Sequence, residues 1–121
     1  MALKGAEILL YPTVIGSEPQ SPRCDGQPHW EIVMRGHAGA IILPVVVSNR
    51  IGTKVQDGRA VTVRGSFFIA DATGQLLAKA RRDDECVLSA KTNLAAAAEL
   101  RRAWGLFRDR GPDLYSGLQS L

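Results

Sequence analysis

Apolar positions fall into short runs and one long period. Residues 8–11, "ILLY", make a short apolar run that Pro12 closes, and the length and turn signals predict a strand buried on both faces. Trp30, Val33, Met34, His37, Ala38 and Ile41 then recur at the spacing of one helix face, so "HWEIVMRGHAGAII" reads as a helix. Glu31 and Arg35 stand one turn apart in the favourable order. Gly36 and Ala40 form a small face that another backbone could approach, which predicts a helix packed on two sides. "ILPVVVSNRIG" is a second apolar, β-branched run, with Pro44 placed to start a strand. "GSFFIADATGQLLAKA" reads as two strands around a tight Asp-Ala-Thr-Gly turn, and "ECVLSA" as a further strand. "TNLAAAAELRRAW" is a helix capped by Thr92 or Asn93 and stopped by Gly105, and the tail after it reads as irregular.

Between the first strand and the first helix lies "GSEPQSPRCDGQP". Its prolines and glycines make it a long loop, and such loops inside compact domains are often functional. The predicted order is strand, helix, strand, hairpin-like strands, helix and tail, which is an α/β arrangement. Strands buried on both faces call for a sheet covered on both sides, and these helices are too few to cover it. The first seven residues, "MALKGAE", read as the end of a helix. The expectation is a partial domain over residues 1–121, whose beginning is a cut edge and whose other half lies elsewhere.

Composition narrows the function classes. The chain has 121 residues, 45% of them hydrophobic, and a formal charge of +3. This describes a single globular domain and not a disordered chain. No apolar run is long enough to span a bilayer and no secretory signal is visible, so a cytoplasmic, membrane-free setting is expected. The arginine clusters at 81–82, 101–102 and 108–110 are broken by acidic neighbours, which predicts local ion pairs and no nucleic-acid stripe. Cys24 and Cys86 have neither metal nor disulfide spacing, and Cys86 is expected to be a buried thiol. His29 and His37 are two turns apart, without a chelating motif, so no metal site is expected and His37 reads as a core histidine. Glu18 lies just past the first strand, where ligands of open α/β sheets bind, and could anchor a cationic group. Ser48 and Asn49 end the second strand, where Ser and Asn also serve as ordinary turn residues.

The blocks "GAEILLYPTVIGSEPQ", "HWEIVMRGHAGA", "PVVVSNRIGT", "GSFFIADATG" and "WGLFRDRGPDLY" together resemble the C-terminal part of the nitrilase (carbon–nitrogen hydrolase) superfamily, in the branch that cleaves carbamoylated amines. The resemblance implies half of a four-layer α-β-β-α sandwich. It implies catalysis by a cysteine nucleophile, a glutamate base and a lysine supporting the oxyanion, with no cofactor. In this branch carbamoylputrescine would yield putrescine, carbon dioxide and ammonia. All three catalytic residues would precede the "GAEILLYPT" block, so no catalytic residue is assigned here. Glu18 matches a family glutamate near the substrate's amine end, and Thr13, Ser48 and Asn49 match strand-end positions by the pocket wall. A small carbamoyl amine, bound once the other half is present, and further copies of the chain are the expected partners. An alternative is a non-catalytic module that associates with itself or with a full-length relative. The sequence departs from the family pattern at Pro28, Ile41 and Gly111, and at Arg64, near which an aromatic is common.

Overall fold

The computed structural model of the chain describes residues 1–18, 20, 21 and 23–119. Pro19 and Pro22 of the long loop and the last two residues of the tail lie outside the described residues. Strands β1 (Leu9–Thr13), β2 (Val45–Asn49), β5 (Phe68–Ala70) and β6 (Leu76–Lys79) form one sheet in that order. β1 and β2 run parallel, whereas β5 and β6 are antiparallel to their neighbours. Helix α1 (Gln27–Ile41) is the crossover between the parallel strands, the connection such a pair requires.

The core forms where α1 meets one face of the sheet. Ala38 packs with Val45, Val47, Phe68 and Ala70, joined by Leu9, Tyr11, Trp30 and Met34. Phe68 is fully buried and meets Trp30 edge to face, with ring centroids 5.9 Å apart. That geometry suits the quadrupoles of two aromatic rings. Helix α2 (Leu94–Trp104) packs beside the end of α1, where Ala97 and Leu100 meet Ile42 and Ala72. Asn93 caps α2 by accepting from the Ala96 amide at 2.9 Å, and Gly105 ends it at φ 65°.

The second face of the sheet is open. Leu10, Val46, Ile69 and Ala78 lie in one row by strand register, and Leu10 is 67% exposed. The first strand is therefore buried on one face and not on both. Pro12 fits within it because β1 is an edge strand. The helix and sheet layers match half of the four-layer sandwich.

Other expectations are corrected by packing. His37 is exposed and is not a core histidine. Cys86 is exposed, and residues 85–90 form no strand. Gly36 has no atom near the Cβ it lacks; the close approach occurs at Gly39, where a Cβ would meet the Thr73 carbonyl oxygen at 3.2 Å. "KVQDGRAVTV" is a hairpin, β3 (Gly52–Gln56) and β4 (Arg59–Val63), turned by Asp57 and Gly58 at φ 51° and 73°. Asp-Gly is the residue pair such a turn favours. The tail contains a 3-10 helix at Pro112–Gln119, and the opening residues contain a 3-10 turn at Ala2–Lys4.

The Asp71–Gly74 turn fastens the hairpin of β5 and β6 beneath α1. Asp71 Oδ1 accepts from the Thr73 amide at 2.8 Å, its hydroxyl at 2.7 Å and the Gln75 amide at 3.0 Å. Arg35 Nε donates to the Gly74 carbonyl at 2.9 Å. Glu31 makes the second tie. It lies 2.6 Å from Lys79 Nζ and 3.6 Å from Arg35, and accepts from Gln27 Nε2 at 3.0 Å. Burial alone would raise the Glu31 pKa, but hydrogen bonds from Lys79 and Gln27, with the charges of Lys79 and Arg35, outweigh it and lower the pKa.

Because the folded-state pKa is depressed, the stability Glu31 contributes is complete above its ordinary value of 4.5 and disappears as pH falls through the folded value. Glu31→Gln should lower stability at neutral pH by about 1–2 kcal/mol, the half-exposed Lys79 partner keeping the loss small. It should also flatten the decline in melting temperature below pH 4.5 or so. Thermal melts of both proteins across that range check this, and parallel declines would contradict it.

Candidate functional site

Parallel pairing brings the carboxyl ends of β1 and β2 together, with Thr13 opposite Asn49. The Asn49 carboxamide joins three segments there. Its Oδ1 accepts from the Ile15 amide at 2.9 Å. Its Nδ2 donates toward the carbonyls of Ile15 at 3.0 Å, Arg64 at 3.1 Å and Gly65 at 3.0 Å. The Thr13 hydroxyl donates to the Ser48 carbonyl at 2.8 Å and lies 3.2 Å from Asn49 Oδ1. A side-chain amide suits this place because it offers donors and an acceptor at once.

The segment leaving β1 is also stitched to the β3–β4 hairpin. Ser17 N donates to the Thr62 carbonyl at 2.7 Å, and Ser17 Oγ accepts from Thr62 N at 3.0 Å. Gly16 bridges Val63, and a Cβ on Gly16 would come within 2.7 Å of the Thr62 carbonyl oxygen. Only glycine fits so close an approach without a backbone shift.

Beyond these strand ends lies a cavity of about 250 Å³. Its wall includes Gly16, Asn49, Cys24, Asp25 and three arginines, Arg23, Arg64 and Arg82. Asp25 and Arg82, 57 residues apart in sequence, form a close ion pair; Arg82 Nη2 also donates to Gln27 Oε1 at 3.3 Å. Arg82's hydrogen bond, with the charges of Arg82 and Arg64, holds the Asp25 carboxyl below the usual range. Open α/β sheets bind ligands at this position.

Asn49 is part of the cavity wall, and Thr13 lies behind it, its hydroxyl 3.2 Å from Asn49 Oδ1, without lining the cavity. Glu18 is exposed and is not part of the cavity wall; its carbonyl accepts from Ser21 N at 2.9 Å. Ser48 is exposed on a separate depression with Arg50, Ile51, Phe67, Asp84 and Cys86. Sequence reasoning did not select Arg23, Arg64, Arg82 or Asp25 for the site. The available signal was Arg64 standing near a position that is commonly aromatic. Among the described residues no group of three His, Cys, Asp or Glu side chains could hold a metal ion, and no helix is long and apolar enough to cross a membrane.

The carbon-nitrogen hydrolase family model matches residues 1–102. This chain belongs to the carbon–nitrogen hydrolase family. The chain is 53% identical over 115 residues to a citrullinase of Francisella tularensis subsp. tularensis, covering 95% of this chain and 40% of that protein. It is 47% identical over 125 residues to an N-carbamoylputrescine amidase of Arabidopsis thaliana, covering 100% of this chain and 42% of that protein. The crystal structure of a carbon-nitrogen hydrolase from Helicobacter pylori G27 superposes with a TM-score of 0.85 at 40% identity, over 98% of this chain and 43% of that one. The chain therefore spans about two-fifths of the length of these relatives.

Two substitutions probe the frame of the site. Asn49→Asp keeps the acceptor oxygen but turns a second oxygen toward the three carbonyls, so its folded-state pKa should be raised. The variant should be destabilised at neutral pH by about 1–3 kcal/mol and recover stability in acid. Gly16→Ala should cost about 1–3 kcal/mol by forcing the strand-end segment off Thr62. Denaturant melts at neutral and acidic pH check both; unchanged midpoints would contradict the frame described here.

Proposed function

We propose that the chain forms one wall of the substrate pocket in a hydrolase that cleaves the terminal carbamoyl group of an N-carbamoyl amine. The observation that carries this reading is the cavity beyond the carboxyl ends of β1 and β2, in a fold whose relatives include enzymes named for carbamoyl substrates. The reaction joins water to the carbamoyl amine and yields the free amine, carbon dioxide and ammonia. A cysteine thiolate from residues outside this sequence attacks the carbamoyl carbon and ammonia departs. Water then releases the bound carbamoyl group, and the resulting acid loses carbon dioxide. Such covalent catalysis splits one difficult step into two easier ones. Thr13 and Asn49 hold the pocket wall in shape.

The row of Leu10, Val46 and Ile69 on the uncovered sheet face supports a further part of this reading, that the chain works packed against more protein. That protein is the other half of the sandwich or, in the self-association reading, another copy of the chain.

Ammonia release from N-carbamoylputrescine and from citrulline tests the function. The chain alone should release none above background. Addition of the upstream segment of the Francisella relative should restore release. Turnover by the chain alone that survives replacement of both Cys24 and Cys86 by alanine would overturn the assignment of the nucleophile. No turnover of either compound by the complemented pair, shown to assemble by light scattering, would overturn the hydrolase reading.

A further inference from the structure

The arginine clusters expected from sequence to form local ion pairs do not all do so. Arg81 pairs with Asp84, Arg82 with Asp25, and Arg108 with Asp109. Arg101 and Arg102, in the last turn of α2, make no hydrogen bond or ion pair through their side chains among the described residues. Arg101 is partly buried, and its Nε is withdrawn from solvent without an acceptor among those residues. A charged donor in that state carries a desolvation cost that an acceptor would remove.

Basic side chains in a last helical turn often serve the free carbonyls there. Here neither side chain reaches a carbonyl, and other donors serve that end. The Arg102 carbonyl accepts from Gly105 N at 3.3 Å, the Gly105 carbonyl from Asp109 N at 2.9 Å, and the Phe107 carbonyl from Arg110 Nη1. The chain then folds back, so that Arg108 and Asp109 lie over Gly105, where a Cβ would collide with both side chains. This brings Arg108 beside Arg101 and Arg102 around an open depression of about 470 Å³, whose wall also includes Ala98, Gly105 and Phe107. It shares no residue with the cavity beyond β1 and β2. Three guanidinium groups line it and Asp109 offsets one of them, which leaves two uncompensated.

We infer that this depression binds the phosphate group of a small molecule, with Arg101 and Arg102 as the principal donors and Arg108 as the third. A phosphate group carries close to two negative charges at neutral pH and presents three strong acceptor oxygens. It matches both the surplus charge and the planar donors, which bind such oxygens through paired hydrogen bonds. A carboxylate has one charge and two oxygens and would leave a guanidinium unmatched. Phe107, partly buried in the same wall, offers an apolar surface to an organic substituent on the phosphate.

Isothermal titration of the chain at low salt, with chloride as the background anion, tests this with inorganic phosphate and with phenyl phosphate. Inorganic phosphate should bind at one saturable site and more weakly as salt is added. Arg101→Gln should weaken binding about ten-fold or more, the worth of one charge-assisted hydrogen-bonded contact. Arg102→Gln should weaken it several-fold. Arg64→Gln, in the other arginine-lined cavity, should leave it unchanged. Tighter binding of phenyl phosphate marks an organic phosphate as the ligand, and equal binding marks free phosphate. Circular dichroism checks the fold of each variant, and the exposed Arg102 carries the test if Arg101→Gln fails to fold. No saturable binding of either probe at millimolar concentration, affinity unchanged by both Arg101→Gln and Arg102→Gln, or binding lost in Arg64→Gln instead would overturn the inference.

Discussion

The arrangement around the cavity depends on one side-chain amide. Asn49 ends β2, yet its hydrogen bonds go to the backbone after β1 and to the backbone before β5. Those segments meet otherwise through the short bridge of Gly16 to Val63 and the Ser17–Thr62 hydrogen bonds. Without the carboxamide, their peptide groups would need other partners, and a polar group that loses its partner on burial is costly. Through this amide the strand order β1-β2-β5 is carried past the end of the sheet and into the loops that enclose the cavity.

Charge is handled differently at two neighbouring places at the start of α1. Just before the helix, Asp25 meets Arg82 at the edge of the cavity where further arginines stand. One turn further along, Glu31 is buried and its charge is matched by Lys79 and Arg35 with an added hydrogen bond from Gln27. The second group is balanced and ties helix to sheet. The first leaves positive charge facing the cavity. A buried carboxylate needs such matching to offset its desolvation, whereas exposed guanidinium groups remain solvated and available to a ligand.

The uncovered sheet face relates the fold to its family. Apolar side chains at Leu10, Val46 and Ile69 would ordinarily be placed against another layer. In this chain α1 covers the opposite face, and α2 packs beside the end of α1 rather than across the sheet. The unit has two layers, spans about two-fifths of its relatives' length, and leaves Leu10 of this row exposed and Val46 and Ile69 partly so.

Much of the secondary structure was legible from residue pattern alone. The periodic face from Trp30 to Ile41 specified α1, Asn93 and Gly105 bounded α2, and Asp-Ala-Thr-Gly specified the turn between β5 and β6. These signals are local, set by helix period, cap chemistry and backbone freedom. The Asp57-Gly58 turn is equally local in origin, since its residues are the favoured ones for a hairpin. "ECVLSA" had the composition of a strand but no neighbour to pair with among the described residues, and composition cannot provide one. Burial of His37, Cys86 and the outer face of β1 was likewise beyond the pattern, because it depends on which layer lies opposite. Strand-end positions Thr13 and Asn49 could be marked from the sequence, together with Glu18 and Ser48. The tertiary structure alone decided that Thr13 stands opposite Asn49, that Asn49 lines a cavity, and that Arg64 and Arg82, far from Asp25 in sequence, share its wall. Contacts between residues so distant are set by chain crossing and loop packing, which leave no periodic mark on the sequence.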